Sequence, residues 1–101
     1  MKMLLIVFRQ SIVKHIHDLL KEYEVTAYTE LHHVAGTGET GTTGLFFLAP
    51  GANCVILTAV SEHVAYRLME GITRFKAEHG KPQGDIPLPL HIFVLPCEQV
   101  V

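Results

Sequence analysis

Two short stretches of the chain are apolar at almost every position, and they constrain its fold more than any other feature. Met3–Phe8 is apolar throughout, and Cys54–Val60 is apolar apart from Thr58. Because successive side chains of a strand point to opposite faces of its sheet, strands of this kind carry apolar groups on both faces. A chain of 101 residues has one modest core to cover them. A second apolar face of this size indicates an interface, so we expect the chain to self-associate.

Strand-like and helix-like patterns alternate along the chain. Apolar residues recur at helical spacing after two serines that can cap the helices, and Pro/Gly-rich stretches separate the other elements. The predicted strands are Met3–Phe8, Val25–Val34, Cys54–Val60 and Leu90–Leu95, and the predicted helices follow Ser11 and Ser61. This order is typical of an α+β, ferredoxin-like βαββαβ sandwich. Such a sandwich has a four-stranded antiparallel sheet with two helices on one face, and we expect one domain over residues 1–101.

Composition argues against several classes of partner. The formal net charge of −2 provides no electrostatic attraction to nucleic acid or to an anionic membrane. No apolar run approaches the ~20 residues of a spanning helix, so no membrane insertion is expected. The 2 cysteines are too few for a disulfide framework, and the first residues lack the pattern of a signal peptide. We therefore expect a cytoplasmic protein with reduced thiols.

No arrangement of residues predicts catalysis. Enzymes of the common hydrolytic and transfer classes need a nucleophile with its base, or paired carboxylates. The 10 acidic residues are scattered along the chain. Its only serines, Ser11 and Ser61, are predicted helix caps. The sequence therefore favours a protein that is not an enzyme.

A glycine- and threonine-rich segment follows the second predicted strand. Gly36, Gly38 and Gly41 satisfy the GxGxxG pattern, but an apolar strand-like run at Leu45–Leu48 follows them where a dinucleotide fingerprint needs a helix. The backbone amides of such a loop can still bind an anion, or the loop can be a flexible connector. No lysine or arginine lies in residues 35–53, so a bound phosphate would need a positive charge from another segment.

A second candidate site combines residues of two predicted strands. Glu30 and His32 share one face of the strand Val25–Val34, and pairing of neighbouring strands can bring Cys54 close to them. Carboxylate, imidazole and thiolate are ligands for borderline metal ions, although the spacing matches no established metal motif. Glu30, His32 and Cys54 are therefore candidate metal ligands. The alternative is a pair of ordinary polar strand residues beside a buried thiol.

Three parts of the chain resemble PII signal-transduction proteins. Lys2–Val7 leads through a helix to Val25–Glu30 and then into Gly36–Gly41, which is similar to the entry into the PII T-loop. The turn Pro50–Asn53 and the ending Ile92–Gln99 resemble the corresponding parts of small PII-like proteins. The resemblance spans nearly the whole chain, with a much shorter T-loop.

The resemblance implies a homotrimer whose sheets face one another, with small effectors, typically adenine nucleotides, bound in clefts between subunits. Gly80 and Lys81 match the glycine-lysine pair of the PII B-loop. The implied ligand-binding residues are Gly36, Thr37, Gly38, Glu39, Thr40, Gly41, Gly80 and Lys81. The C-terminal arginines that contact phosphates in PII proteins have no counterpart after Leu90.

By this interpretation the protein is a sensor in nitrogen regulation. It binds a small anionic metabolite or an adenine nucleotide and signals to a protein target, a transporter or an enzyme, through the glycine-rich loop. One alternative is a divalent-metal-binding trimer like the CutA proteins, which share the architecture. The other is a structural trimerisation module.

Overall fold

The structure, a computed structural model, describes residues 1–36, 52–79 and 88–101. Its strands and helices follow the predicted order. They are β1 (Lys2–Arg9), a short 3-10 turn (Gln10–Ile12), α1 (Val13–Glu22), β2 (Thr29–Val34), β3 (Asn53–Val60), α2 (Glu62–His79) and β4 (Leu90–Pro96). The strands form one antiparallel sheet in the order β2-β3-β1-β4. The predicted ferredoxin-like sandwich is confirmed. None of the helices in these ranges is long and apolar enough to cross a membrane.

Strand β1 lies at the centre of the sheet and fixes its register. It pairs with β3 and β4 without interruption, so that Leu5 lies opposite both Leu57 and Phe93. The outer strand β2 pairs with β3 less regularly, because its register shifts between Leu31 and Val34. Directly opposite residues of an antiparallel pair point to the same face, so the register assigns every strand residue to a face.

One face of the sheet carries the helices and the core. Residues at even positions of β1 from Leu4 to Phe8 are buried, while those at odd positions are half-buried. The buried apolar residues of the strands pack with those of both helices in one cluster, which comprises Leu4, Ile6, Phe8, Ile16, Leu20, Val25, Cys54, Ile56, Ala65, Leu68, Ile72, Phe75 and Leu90. Full burial of a large side chain of this kind stabilises the fold by about 1.5–3 kcal/mol. Both helices therefore lie on one face, as predicted.

The opposite, helix-free face of the sheet is apolar, and no helix or strand of the described residues covers it. Leu5 lies at its centre, and Phe93 and Leu95 of β4 expose 52% and 47% of their surface there. Leu31 of β2 is 48% exposed and lies opposite Val55 on the same face. The two-faced strands predicted from sequence thus produce one core face and one exposed apolar face.

The two helices pack closely beside Gly71, which is buried in α2. A Cβ atom at this position would lie 2.5 Å from the hydroxyl oxygen of Tyr23 and 2.7 Å from its Cζ atom. The Tyr23 ring therefore occupies the space of a side chain at position 71. The guanidinium carbon of Arg67 lies 5.4 Å from the centre of the same ring, at a distance typical of a cation–π contact.

Local details differ from the sequence expectations at two places. Ser11 is not the cap of α1, because the chain leaves β1 through a 3-10 turn that contains Ser11, and Ile12 stands in the cap position without a side-chain hydrogen bond. Ser61 does cap α2, since its hydroxyl oxygen accepts a hydrogen bond from the Val64 amide at 3.2 Å. The second strand starts at Thr29 and not at Val25. The Val25 amide donates to the Leu20 carbonyl at 2.8 Å, so Val25 is part of the turn that follows α1. The predicted run at Leu45–Leu48 lies outside the described residues.

Candidate functional site

The strand directions place the described residues that flank both predicted ligand-binding segments at one end of the sheet, which we call the loop end. Segment 37–51 joins β2 to β3, and segment 80–87 joins α2 to β4. The end of β1 lies between the first residues of β3 and β4, since Arg9 is opposite Asn53 and Phe8 is opposite Leu90. The points at which the two segments join the sheet are therefore close together.

The predicted ligand-binding residues lie mostly outside the described part of the chain. Gly36 is described and lies at the loop end, next to the Asn53 amide group. The residues that lie outside the described ranges are Thr37, Gly38, Glu39, Thr40, Gly41, Gly80 and Lys81. Their contribution to a ligand site stays a prediction.

Arg9 is a residue at the loop end that sequence reasoning missed. It is half-buried, and its Nη1 atom donates to the Asn53 side-chain oxygen at 3.5 Å. The next residue, Gln10, donates its amide hydrogen to the Ala52 carbonyl at 2.8 Å. These contacts join the end of β1 to the chain returning from segment 37–51. The sequence does contain a signal for Arg9, because it is a charged residue directly after a strand that is apolar on both faces.

Side chains of α2 line the second attachment point at the loop end. Lys76 donates from its Nζ atom to the Leu90 carbonyl at 2.8 Å, which ties the helix to the first residue of β4. His79 donates from Nδ1 to the Phe75 carbonyl at 3.0 Å, and its ring stacks on Phe75 with 4.1 Å between centroids. Between α2 and β4 an open cleft of about 270 Å³ is lined by Ile72, Thr73, Lys76, Leu90, His91, Ile92 and Phe93.

The three candidate metal ligands come together as the sequence indicated, and a fourth residue joins them. His32 contacts one Glu30 oxygen through Nε2 at 2.6 Å and the Cys54 sulfur through Nδ1 at 3.6 Å. His17 of α1 contacts the other Glu30 oxygen through Nε2 at 2.5 Å. The sequence did not predict His17, because the position of a helix residue over a sheet depends on packing and not on periodicity.

The chemistry of these side chains fixes which group donates and which accepts in each of the three hydrogen bonds. A carboxylate only accepts, so both imidazoles donate to Glu30 from Nε2. In the neutral His32 ring, Nδ1 then carries the lone pair and accepts the Cys54 S–H. Burial raises the pKa of the Cys54 thiol above its ordinary value, and the negative charge of Glu30 raises it further. The thiol is thus held in its protonated form.

The distances in this cluster are those of hydrogen bonds and not of metal coordination. Two ligand atoms on one tetrahedral zinc ion, each at about 2.0–2.1 Å, are about 3.3 Å apart, which exceeds both Glu30–imidazole distances. Within residues 1–36, 52–79 and 88–101, no three His, Cys, Asp or Glu side chains are arranged to hold a metal ion. Metal binding by Glu30, His32 and Cys54 stays a prediction that requires the carboxylate to leave both imidazoles.

Known proteins share both the sequence pattern and the fold. The family model for nitrogen regulatory protein P-II matches residues 1–101, while no curated protein matches the chain. CPII of Thiomonas intermedia K12, a nitrogen regulatory PII-like protein solved with ADP, AMP and bicarbonate, is 26% identical with a TM-score of 0.68, and the alignment covers 92% of this chain and 86% of CPII.

Two further solved structures of PII-like proteins are also similar to this chain. CPII with ADP and bicarbonate is 26% identical with a TM-score of 0.69, over 93% of this chain and 82% of that one. A PII-like signalling protein of Thermus thermophilus has the same fold at 21% identity and a TM-score of 0.66, over 93% and 82%. With its full length matched and its sandwich shared, the chain belongs to the nitrogen regulatory protein P-II family.

Proposed function

We propose that this protein is a PII-like regulator that binds an adenine nucleotide together with a small oxyanion at the loop end. The observation that carries the proposal is the similarity to CPII, which was solved with ADP, AMP and bicarbonate and aligns with 92% of this chain. Ligand binding changes the affinity for a partner protein, and segment 37–51 transmits the change. Gly36, Thr37, Gly38, Glu39, Thr40, Gly41, Gly80 and Lys81 contribute to the ligand site.

The topology of the described strands supports this position of the site. Segments 37–51 and 80–87 both leave from the end of the sheet at which β1 terminates. The glycine-rich segment has no lysine or arginine of its own. Arg9 at the end of β1 supplies a positive charge at this end of the molecule, and we propose that Lys81 of the second segment supplies another.

The exposed apolar face supports assembly into a homotrimer. Proteins of this family are oligomeric and bind small effectors. Phe93, Leu95 and Leu31 each expose roughly half of their surface on the helix-free face, and contiguous apolar surface of this kind is typical of an interface. In the proposed trimer these faces meet at the centre, and the ligand lies in clefts between subunits.

The state of Cys54 supports a regulator over an enzyme. The chain Cys54–His32–Glu30 has the residue types of a cysteine nucleophile with its base and orienting acid. A reactive cysteine is accessible and has a lowered pKa. Cys54 is fully buried and its pKa is raised, so its thiol serves as a hydrogen-bond donor inside the fold.

Titration calorimetry with ADP and AMP, with and without bicarbonate, tests the proposed function. We expect ADP to bind, and Lys81→Ala to weaken it by about 1.5–3 kcal/mol, the contribution of a charged hydrogen bond. Gly38→Val is expected to block the same ligand by crowding. Lys21→Ala is the matched control, because Lys21 is exposed in the last turn of α1 at the opposite end of the molecule.

Light scattering of the same samples separates the alternatives. We expect a particle of three times the 11.2 kDa chain mass. A trimer that binds no nucleotide would indicate a structural trimerisation module. A monomer at micromolar concentration would contradict the assembly on which the clefts depend.

A further inference from the structure

We propose that His17, Glu30 and His32 form a binding site for a borderline divalent metal ion of the zinc class. The site lies between α1 and the outer strand β2, and none of its residues belongs to the predicted set that binds the nucleotide. Metal binding there is therefore independent of the proposed function. The ligand set differs from the one that the sequence indicated, because His17 takes the place of Cys54. Since β2 leads into segment 37–51, a bound ion would tie α1 to the strand before that segment.

Two imidazoles of this cluster converge on one carboxylate. The Nε2 atom of His17 lies 2.5 Å from one oxygen of Glu30, and the Nε2 atom of His32 lies 2.6 Å from the other oxygen. Folding brings these groups together, since His17 belongs to α1 and the other two residues belong to β2. Two imidazoles and one carboxylate can bind a zinc ion with its fourth position open, and imidazole also suits copper, nickel and iron ions.

Cys54 lies on the other side of the His32 ring and does not share this ion. Its sulfur contacts the Nδ1 atom of His32 at 3.6 Å, whereas Glu30 contacts the Nε2 atom. The two ring nitrogens point in different directions, so an ion held at Nε2 faces Glu30 and not Cys54. A metal-bound imidazole is usually oriented by a hydrogen bond at its second nitrogen. Cys54 is placed to be that outer partner of His32.

Metal binding requires only a small opening of the hydrogen-bonded arrangement. Two ligand atoms on one zinc ion are about 3.3 Å apart, so each nitrogen–oxygen distance has to grow by about 0.7–0.8 Å. The side chains of His17 and His32 are 40% and 43% exposed, whereas that of Glu30 is 16% exposed. The imidazoles can therefore move outward, and the ion can enter from the surface while Glu30 keeps its place.

The hydrogen bonds of His32 allow the exchange of a proton for the ion. In the hydrogen-bonded arrangement its Nε2 atom carries the ring proton and donates it to Glu30. A metal ion needs the lone pair of Nε2, so in the metal-bound state the ring proton is on Nδ1. The Nδ1–H group then donates to the Cys54 sulfur, which changes from donor to acceptor. A neutral His32 ring thus keeps its proton and its contact with Cys54 in both states.

The test is a competition for zinc between the full-length protein and a chromophoric chelator, without nucleotide. We expect the wild type to bind one zinc ion per chain. The affinity should fall about 10- to 100-fold in Cys54→Ala, which removes only the outer partner, and further in His17→Gln and His32→Gln, which each remove a ligand. The matched control is His15→Gln, since His15 is an exposed histidine of the same helix whose ring lies 5.3 Å from that of Phe75. Its zinc affinity should equal that of the wild type.

Cobalt(II) in place of zinc identifies the ligand atoms. Tetrahedral cobalt with nitrogen and oxygen ligands absorbs visible light, and a thiolate ligand adds an intense charge-transfer band in the near ultraviolet. We expect the visible bands without the thiolate band. A thiolate band that disappears in Cys54→Ala would overturn the assigned ligand set, because Cys54 would then bind the ion directly.

Three results of the zinc competition would overturn the inference. They are a wild type that binds no zinc, an unchanged affinity in both His17→Gln and His32→Gln, and an equal loss of affinity in His15→Gln. Circular dichroism without zinc shows whether each variant is folded. Glu30→Gln keeps a hydrogen-bonding side chain and removes only the charged ligand, so its loss of zinc affinity provides the test should a histidine variant fail to fold.

Discussion

Replacing Gly71 with alanine tests the packing of the two helices, because the expected sign is opposite to that of an ordinary glycine-to-alanine change. Alanine in place of glycine in a helix interior stabilises it by about 1 kcal/mol. At position 71 the added Cβ would lie 2.5 Å from two atoms of the Tyr23 ring. Carbon and oxygen atoms that are not bonded cannot approach so closely, so the ring must move.

The magnitude follows from what Tyr23 loses when it moves. The colliding atoms are at the far end of a side chain, so the ring can swing out while the helix backbones keep their positions. The ring then loses its packing against the core and its contact with Arg67. Overpacking of this kind costs about 1–3 kcal/mol. After subtraction of the helix-propensity gain, we expect Gly71→Ala to lower the free energy of unfolding by about 0–2 kcal/mol.

A double-mutant cycle isolates this effect. In a Tyr23→Ala background the space is empty, and Gly71→Ala should stabilise the protein by about 1 kcal/mol. Urea unfolding of the four proteins at one protein concentration measures the coupling, which we expect to be about 1–3 kcal/mol. Equal stabilisation by Gly71→Ala in both backgrounds would refute the close packing of Tyr23 on α2.

Two further predictions concern the sheet and the buried thiol. Leu5→Asp places a charge on the helix-free face, and light scattering should show that the oligomer dissociates. Ile6→Asp buries an unpaired charge in the core and should prevent folding. An intact Leu5→Asp oligomer would exclude this face as the interface. Because the pKa of Cys54 is raised in the folded protein, its thiol ionises first in the unfolded chain as the pH rises past the ordinary pKa of 9.0. The free energy of unfolding should therefore fall above that pH by up to about 1.4 kcal/mol per pH unit, until the folded-state pKa is reached. This loss should disappear in Cys54→Ala and persist in Cys97→Ala, and identical alkaline profiles of wild type and Cys54→Ala would contradict it.

Periodicity was sufficient to predict the sheet and part of the candidate cluster. The period of two places Glu30 and His32 on one face of β2, and pairing with β3 puts Cys54 beneath them, as the 3.6 Å contact confirms. The apolar runs at both parities predicted the exposed face that Phe93 now shows. These features depend only on strand geometry, which a sequence pattern encodes directly.

The features that sequence reasoning missed depend on how elements meet. Ser11 lost its expected role because β1 continues to Arg9 and the chain turns through a 3-10 segment before α1 begins. His17 reaches Glu30 through the packing of α1 on the sheet, and no local pattern specifies that distance. The sequence marks Arg9 only as a charge after an apolar strand, and its contact with the chain around segment 37–51 follows from the antiparallel register, which places it opposite Asn53.

Several described contacts tie the strands on either side of segment 37–51 to the rest of the fold. On the β2 side, Glu30 is bound to His17 of α1 and to His32, which contacts Cys54 of β3. Just before β3, the Ala52 carbonyl accepts a hydrogen bond from the Gln10 amide. A ligand shifts an equilibrium only by the difference in its affinity for two states. We expect these contacts to persist when a ligand binds, so a ligand-linked change in affinity for a partner protein has to come from groups outside them.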